Sequence, residues 1–410
     1  MNNDRVKLDS LVEQVLELAL AIQQIPAPTF HEGERAAFVR DRFLAEGLSD
    51  VHIDPSGNVV ARLPGTGADR CVVVTAHLDT VFPLTTPLNA RRQAERIAAP
   101  GIGDNSLGVA GLFGLVWGSK SSGALKISQE LQKNGQPGHL YSCLPGDVWL
   151  VANVGEEGLG DLRGMKAVLS RFGDLPTAYI VIEGLSFGWV YHRGLGVRRY
   201  LITVQTPGGH SWIDYGRPSA IHELAQLITR LNAIVLPEQP RTTLNVGVIQ
   251  GGTSVNTIAA EAHLELDLRS EQVESLNRLI NQVEELVVSA NRTDVQVVTH
   301  IIGERPAGEI SPDHPLVRLA FSCLETQGVQ AKLNIGSTDA NIPLSRGLPA
   351  IWIGLTTGGG AHTTSEYMLT DPLEQGLAQL VDVVKGAFRL TSHVHPQQMP
   401  LDPPEGHAAG

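Results

Sequence analysis

The sequence predicts an α/β protein with a mixed, mainly parallel β-sheet flanked by helices and an inserted ferredoxin-like α+β domain. Two short apolar runs, residues 72–74 and 179–182, are typical of strands buried in the middle of a parallel sheet. Residues 261–268 instead alternate apolar and polar side chains, which indicates a sheet with one solvent-facing side. After residue 312 the first kind of pattern returns, so the smaller domain interrupts the larger one.

The helical spacing of apolar residues, with glycine and proline between the runs, predicts the elements of the larger domain. Its predicted helices cover residues 7–25, 31–47, 107–117, 314–327 and 375–390. Its predicted strands cover residues 51–53, 59–63, 71–80, 148–152, 179–182 and 350–354. The polar stretch 119–146, with its serine and glycine turns, predicts a surface excursion.

The inserted domain has the predicted order strand, helix, strand, strand, helix, strand, which is that of a ferredoxin-like unit. These elements cover residues 197–204, 220–231, 243–248, 261–268, 271–290 and 295–302. We therefore expect residues 1–195 and 309–392 to form the catalytic domain and residues 196–308 the inserted one. The His- and Pro-rich residues 393–410 show no pattern and are expected to be disordered.

Composition limits the class of protein. With 410 residues the chain is long enough for two domains, and its formal net charge of -12 argues against nucleic acid or a membrane surface as partner. Small anionic substrates are still compatible with that charge, because a bound metal pair supplies positive charge locally. Three widely spaced cysteines predict no disulfide framework. The sequence shows no signal pattern and no apolar run long enough to span a bilayer, so we expect a cytoplasmic enzyme.

Polar residues with metal-binding chemistry follow the predicted strands. His77 and Asp79 end the strand 71–80 and, being two residues apart, point to the same side. Ligands gather at this end of an open α/β sheet. Five candidate metal ligands lie at a predicted strand end or in the loop after one: His77, Asp104, Glu157, Glu183 and His362. Two histidines and three carboxylates suit two zinc-like ions about 3.5–4 Å apart with one bridging carboxylate. Glu156, next to a ligand but pointing elsewhere, is free to act as a base.

Taken together, these motifs resemble a known family. The matching segments are residues 76–80, 103–105, 155–158, 183, 209–211, 267–269, 336–339 and 361–363, within a resemblance that extends from residue 26 to about residue 390. They resemble the co-catalytic zinc metallopeptidases and deacylases that include tripeptidase T, glutamate carboxypeptidase, acetylornithine deacetylase, succinyl-diaminopimelate desuccinylase and aminoacylase. Two features depart from the family: the longer 119–146 connection, and Glu183 where many members have aspartate.

The resemblance implies a zinc-peptidase-like fold and roles for the candidate residues. His77, Asp104 and Glu183 would hold one metal, and Asp104, Glu157 and His362 the other. Zinc is the expected ion, with cobalt or manganese as alternatives. The resemblance further implies that Asp79 orients His77, that the Asp104–Asn105 peptide is cis, and that Glu156 deprotonates a metal-bridging water and later protonates the leaving amine.

The resemblance also assigns the inserted domain as a lid and dimerisation domain of a homodimer. Within it, His210 would help to polarise the scissile carbonyl, Arg269 would bind a substrate carboxylate, and Asn256 would donate or accept a substrate hydrogen bond. The residues alone leave simpler roles open: Arg269 as a charge on the sheet paired with a carboxylate, and Asn256 as a turn residue.

The predicted function is that of a di-metal hydrolase cleaving an amide bond in a small peptide or an N-acyl amino acid. A tripeptidase- or carboxypeptidase-like activity is favoured, with N-acyl-amino-acid deacylase as the alternative in the same family. Residues 184–188 also spell the nucleophile-elbow pattern around Ser186, but that motif requires a following helix and residues 189–194 look extended. A non-catalytic metal scaffold would have lost a ligand or the base, and neither is missing here.

Overall fold

A computed structural model describes the chain over residues 2–67, 70–121 and 144–390. The helices are α1 Asn2–Gln23, α2 Gly33–Ala45, α3 Leu107–Ser121, α4 Arg163–Phe172, α5 Ala220–Asn232, α6 Val273–Ala290, α7 Pro315–Thr326, α8 Asn341–Leu344 and α9 Leu373–Ala387. The first ten strands are β1 Ser49–Ile53, β2 Val59–Leu63, β3 Cys71–His77, β4 Arg91–Arg92, β5 Arg96–Ala98, β6 Asp147–Asn153, β7 Ala178–Glu183, β8 Trp189–Gly194, β9 Gly196–Gln205 and β10 Gly209–His210. The others are β11 Thr242–Gly251, β12 Thr257–Ile258, β13 Glu261–Ser270, β14 Gln296–Arg305, β15 Gly308–Glu309, β16 Lys332–Gly336, β17 Ala350–Gly354, β18 Gly358–Gly359 and β19 Tyr367–Leu369.

The larger domain is built on a nine-stranded sheet in the order β1-β2-β6-β3-β7-β17-β8-β15, with β16 paired to β8. Its centre, β6-β3-β7-β17, is parallel, and antiparallel pairs lie on both sides. The predicted fold class is therefore confirmed. Because these central strands run the same way, their carboxyl ends meet at one edge of the sheet, and the residues that follow β3, β6 and β7 lie close together there.

Helix packing buries the central strands on both faces. Residues 72–74 of β3 are fully buried, as the continuous apolar run predicts. The glycines of α3 allow close approach to its neighbours: a Cβ on Gly114 would lie 2.7 Å from the Leu377 side chain of α9 and 3.1 Å from Val15 of α1. This tight helix layer supports the strand from which His77 projects.

The inserted domain is a four-stranded antiparallel sheet in the order β11-β13-β9-β14, with α5 and α6 packed on one face. Over residues 261–268 of β13 the apolar residues are buried and the polar ones are half-buried or, at Glu261, exposed, which confirms the predicted alternation. The observed order β9, α5, β11, β13, α6, β14 is the predicted ferredoxin-like one. A second hydrophobic cluster, separate from that of the larger domain, forms its core.

A small sheet that the sequence did not predict lies beside the larger one. It has the order β18-β19-β5-β4, and Tyr367 of β19 pairs with Ala98 of β5. Strands of two or three residues are too short to show any periodicity. The sheet joins the loop that precedes Asp104 to the loop that contains His362.

Some predictions lie beyond the part of the chain that the structure describes. Residues 393–410 are outside it, and so is most of the 119–146 excursion. The predicted boundaries at residues 195, 308 and 392 stay predictions. Among the described residues, none of the helices combines the length and the apolar character needed to cross a membrane.

The buried strands allow a stability prediction. Leu150 lies in β6 with 0% exposure, so Leu150→Ala should lower the free energy of unfolding by about 2–5 kcal/mol, through lost burial and a residual cavity. Leu175→Ala is the matched control, because Leu175 is 73% exposed and its truncation should change stability by about 0.5 kcal/mol or less. Urea denaturation of both variants measures the difference. Equal losses would contradict the placement of β6 in the core.

Candidate metal centre

The first group of predicted ligands meets at the carboxyl ends of β3 and β7. His77 Nε2 lies 3.1 Å from Asp104 Oδ1 and 3.6 Å from Glu183 Oε2. His77 is buried, whereas Asp104 and Glu183 are partly accessible. One ligand atom from each of the three residues lies within 4.8 Å of the others, which is a spacing that one cation can satisfy.

The second group contains Asp104 again, with Glu157 and His362. His362 Nε2 lies 3.0 Å from Asp104 Oδ2 and 3.1 Å from Glu157 Oε1. Asp104 thus directs one carboxylate oxygen to each histidine, as a carboxylate bridging two ions would. The Asp104–Asn105 peptide bond is cis, as predicted. His362 itself has a left-handed backbone with φ of 65°.

Electrostatics show that this cluster attracts positive charge. Hydrogen bonds to Asp104 and Glu157 raise the pKa of His362 to about 10. Burial disfavours a charged His77, but hydrogen bonds to Asp104, Asp79 and Glu183 outweigh it and hold the pKa of His77 well above its usual value. Burial likewise disfavours a charged Asp104, yet its two histidine partners hold the pKa of its carboxyl low. The donor set of two imidazoles and three carboxylates therefore fits two divalent cations.

Asp79 contacts both His77 and the loop that follows β6. The ring Nδ1 of His77 lies 3.0 Å from the main-chain oxygen of Asp79 and 3.6 Å from its carboxylate. The carboxylate instead accepts hydrogen bonds from the backbone N–H of Glu156 at 3.0 Å and of Glu157 at 2.9 Å, and from the Thr29 hydroxyl at 2.8 Å. The Asp79 carbonyl thus orients His77, whereas the Asp79 carboxylate orients the loop after β6.

Glu156, the predicted base, is buried at the boundary with the inserted domain. Arg305 Nη1 donates to Glu156 Oε1 at 2.8 Å, and Arg305 Nη2 donates to the Glu156 main-chain oxygen. Both side chains are only 7% exposed. Burial raises the pKa of Glu156 well above its usual value, and the Arg305 guanidinium opposes that rise. A carboxylate oxygen of Glu156 also lies within 4.8 Å of ligand atoms of His77 and Glu157, so the base borders the metal cluster.

The cluster opens into a cleft of about 450 Å³ between the two domains. Arginines of the inserted domain line one side, and Tyr191 and Trp352 line another. Arg269 is among the lining residues, and its Nε donates to Asp267 at 2.7 Å. Arg199 also donates to Asp267, at 2.9 Å. Arg269 is therefore both paired on the sheet and exposed to the cleft.

His210 and Asn256 lie elsewhere in the inserted domain and do not line this cleft. They meet in a short hairpin in which His210 pairs with Thr257 and the Ser211 N–H donates to the Asn256 main-chain oxygen. The Asn256 side chain accepts from the Ser254 hydroxyl at 2.8 Å, as expected for a turn residue. His210 is exposed, and its Nδ1 accepts from the Trp212 N–H at 3.2 Å. With Nδ1 accepting, Nε2 is the ring nitrogen that can donate.

Two buried charged residues of the site were missed by sequence reasoning. Arg305 ends β14 and lies far along the chain from Glu156. Glu366 follows His362 by four residues, and its carboxylate accepts backbone N–H groups of the loop that carries Asp104. Burial raises the pKa of Glu366 to about 7, and those N–H donors oppose the rise. No local pattern marks either residue, because each acts on a distant segment.

The alternative nucleophile Ser186 has the positive φ of a sharp turn, 73°. The element that follows it is strand β8, beginning at Trp189, and not a helix. The nucleophile elbow requires a strand-to-helix turn, so its structural context is not met.

Comparisons with known proteins agree with this architecture. Residues 195–295 match the family model described as a peptidase dimerisation domain, and residues 58–158 match the model of peptidase family M28. The uncharacterized protein YqjE of Bacillus subtilis is 22% identical over 396 residues, covering 92% of this chain and 99% of the relative. A probable carboxypeptidase of Arthroderma benhamiae is 25% identical over 350 residues, covering 75% and 71%.

Solved structures resemble the chain over nearly its whole length. A tripeptidase from Staphylococcus aureus superposes with a TM-score of 0.71 at 22% identity, covering 92% of this chain and 99% of that one. The Bacillus subtilis YXEP protein, described as a dinuclear metal binding peptidase, superposes with a TM-score of 0.63 at 16% identity, covering 93% and 99%. At these identities the likeness shows the fold.

Metal analysis can separate the two groups of ligands. His362 belongs only to the second group, so His362→Gln should retain one divalent ion per chain where the wild type binds two. The control is His300→Gln, which changes an exposed histidine of β14 and should retain both ions. Zinc content after dialysis of the metal-loaded proteins measures this. Two retained ions in the His362 variant would contradict the assignment.

Proposed function

We propose that this chain, which resembles the co-catalytic metallopeptidases and deacylases, is a metal-dependent amidohydrolase that cleaves an amide bond in a small peptide or an N-acyl amino acid. The observation that carries the proposal is the Asp104 carboxylate, which faces His77 with one oxygen and His362 with the other beside the buried Glu156. Such a bridged pair of sites next to a carboxylic acid is suited to hydrolysis.

We assign one metal to His77, Asp104 and Glu183 and the other to Asp104, Glu157 and His362, with zinc as the expected ion. When bound, two divalent cations polarise the carbonyl of the scissile amide and lower the pKa of a water molecule. Glu183 is further positioned by the Thr338 hydroxyl, which donates to its Oε1 at 2.6 Å. Such outer hydrogen bonds orient carboxylate ligands and tune their affinity.

Glu156 is the proposed general base and acid. Its carboxylate takes a proton from the attacking water and then gives it to the leaving amine. Burial favours the protonated form between these two transfers, while Arg305 limits how far the pKa rises. Arg305 also anchors Oε1, so that the side chain keeps one orientation during both steps.

The size and charge of the cleft support a small substrate that carries a carboxylate. A cleft of about 450 Å³ has room for a di- or tripeptide or for a short N-acyl amino acid. Arg269 donates to Asp267 from Nε at 2.7 Å and from Nη2 at 3.5 Å and still lines the cleft, so its Nη1 can donate to a substrate carboxylate. We favour a tripeptidase- or carboxypeptidase-like activity, because the relative from Arthroderma benhamiae and the Staphylococcus aureus structure carry those names.

A substrate panel tests the proposal directly. Di- and tripeptides are compared with N-acetyl, N-succinyl and N-carbamoyl amino acids, in the presence of Zn²⁺, Co²⁺ or Mn²⁺ and after chelation. Metal-dependent release of an amine from one class supports the proposal, and the class that reacts distinguishes peptidase from deacylase. Activity that survives chelation but is abolished by a serine-directed acylating reagent would contradict it and favour Ser186.

For His210 we propose a role across a homodimer formed through the inserted domain. The ring is exposed and does not line the cleft of its own chain, and because Nδ1 accepts from Trp212, Nε2 is the nitrogen that can donate. A neutral donor of this kind can hydrogen-bond the oxyanion that develops on the scissile carbonyl. The match of residues 195–295 to a peptidase dimerisation domain supports a pairing that would bring His210 to the neighbouring cleft.

Glu156→Gln should keep both metals and lose about 10²–10⁴-fold in turnover, since it removes the base and leaves the five ligands unchanged. Turnover and zinc content are measured on the same preparation. A matched control is Glu309→Gln, which changes an exposed glutamate of β15 paired with Arg193 and should leave both values unchanged. An emptied metal site in the Glu156 variant would mean that this residue is itself a ligand.

Mixing two inactive variants tests the dimer. His210→Ala should lose about 10²–10³-fold in turnover, as is typical for removal of one oxyanion donor. Combined with Glu156→Gln in mixed dimers, it should regain part of the activity, because one cleft then has Glu156 from one subunit and His210 from the other. Mixed dimers that form and stay inactive would place the action of His210 within its own chain or remove it altogether.

A further inference from the structure

Resting on the proposed two-metal function, we propose that Glu366 is the positioning residue that holds the Asp104 loop against the His362 loop and thereby preassembles the second metal site. Glu366 is 0% exposed, and both of its carboxylate oxygens are occupied by backbone donors. Oε1 accepts from the N–H groups of Gly103 at 2.7 Å and Asp104 at 2.8 Å, and Oε2 accepts from Gly101 at 3.0 Å.

Because both of its carboxylate oxygens accept from backbone N–H groups, Glu366 is assigned no role as a metal ligand. Three N–H groups of one loop converge on a single carboxylate, in the manner of an anion bound by successive backbone amides. A fourth hydrogen bond runs from the Ala99 N–H to the Glu366 main-chain oxygen at 3.0 Å. The side chain and main chain of one residue therefore fasten the whole turn that leads from β5 to Asp104.

The consequence for the metals follows from the position of Glu366 in the chain. His362 lies four residues before it in the same loop, between β18 and β19. Holding Glu366 on the 101–104 turn therefore fixes the separation between Asp104 Oδ2 and His362 Nε2, which is 3.0 Å. His362 is 55% exposed and comes from a loop, which is otherwise tied to this region by the pairing of β19 with β5 and by the contact of His362 with Glu157 at 3.1 Å.

The opposite side of the same turn is held independently of Glu366. The Asn105 side chain donates to the Ile182 main-chain oxygen at 2.9 Å and accepts from the Gly184 N–H at 2.9 Å. These bonds join Asp104 to the end of β7, which carries Glu183. Loss of Glu366 should therefore loosen Asp104 relative to His362 and leave its relation to Glu183 intact, so that one metal site is affected selectively.

The experiment measures metal affinity on the metal-free, full-length protein. Zn²⁺ is titrated into the wild type, Glu366→Gln and Glu366→Ala by calorimetry with competing chelator. Gln keeps the shape but offers one acceptor oxygen, and Ala removes both. We expect one equivalent to bind as in the wild type and the other to lose about 10–100-fold in affinity in Glu366→Gln, as is typical for outer-shell changes, with a larger loss in Glu366→Ala.

The matched control is Asp54→Asn, which makes the same chemical change at a carboxylate that caps a turn away from the metals. Asp54 Oδ1 accepts from the N–H groups of Ser56 at 2.8 Å and Asn58 at 3.0 Å. This variant should bind both equivalents as the wild type does. Thermal unfolding with and without Zn²⁺ adds a second readout: in Glu366→Gln, the metal-induced rise in Tm should shrink more than the metal-free Tm falls.

Two results would overturn the inference. One is wild-type affinity for both equivalents in a folded Glu366→Gln protein. The other is a fall in metal-free Tm with unchanged affinities, which would make Glu366 a purely structural residue. A wild type that binds two metals and hydrolyses no amide would contradict the proposed function alone, because the affinity difference between the wild type and Glu366→Gln would still stand.

Discussion

The carboxylate of Asp104, shared between two histidines from distant parts of the chain, is the interaction on which the rest of the site depends. Three carboxylates meet in a partly buried cluster, and such a concentration of negative charge is costly unless cations or hydrogen bonds compensate it. The protein supplies such partners around the cluster. The two histidines lie toward its centre, and backbone N–H groups donate to the neighbouring carboxylates of Asp79 and Glu366. The Thr338 hydroxyl donates to Glu183. The surrounding fold is organised to hold this charge in place.

The parallel centre of the large sheet explains how the charged side chains of the site come together. His77 ends β3, Glu183 ends β7, and the Glu156–Glu157 pair follows β6, so neighbouring strands bring them to one edge. Two loops complete the set, one after β5 and one between β18 and β19. Because loops are less restrained than strands, their ligands require extra fastening, which Glu366 and Asn105 provide from opposite sides.

The inserted domain also takes part in the site, beyond its own fold. Its Arg305 holds the Glu156 side chain, its Arg199 donates to the Gly158 main-chain oxygen, and its Glu304 N–H donates to Asp161. All three contacts fall on the short segment that follows β6 and carries both the proposed base and a proposed metal ligand. Any rotation of the inserted domain must therefore break these bonds or move that segment with it, which links domain position to the environment of Glu156.

Local patterns were sufficient for the fold class, the ferredoxin-like order and a set of ligand candidates that the structure brings together. Continuous apolar runs predict central strands, and alternation of apolar and polar residues predicts a sheet with one solvent-facing side. Polar residues at strand ends predict a ligand-binding site. The same patterns could not predict the small β4-β5-β18-β19 sheet, whose strands have two or three residues. They also could not predict that the shorter contact of His77 with Asp79 is made by the Asp79 main-chain oxygen.

By itself, then, the sequence determined which residues are candidates for metal binding and proton transfer and which strands carry them, because both depend on neighbours in the chain. Only the tertiary structure decided that Asp104 directs one carboxylate oxygen to each histidine. It also decided that Arg305 donates a hydrogen bond to Glu156 and that Glu366 accepts hydrogen bonds from the turn before Asp104. It also placed His210 and Asn256 in a hairpin away from the cleft. The physical reason is the same throughout: these contacts join segments far apart in the chain, and no local periodicity or spacing encodes the geometry in which such segments meet.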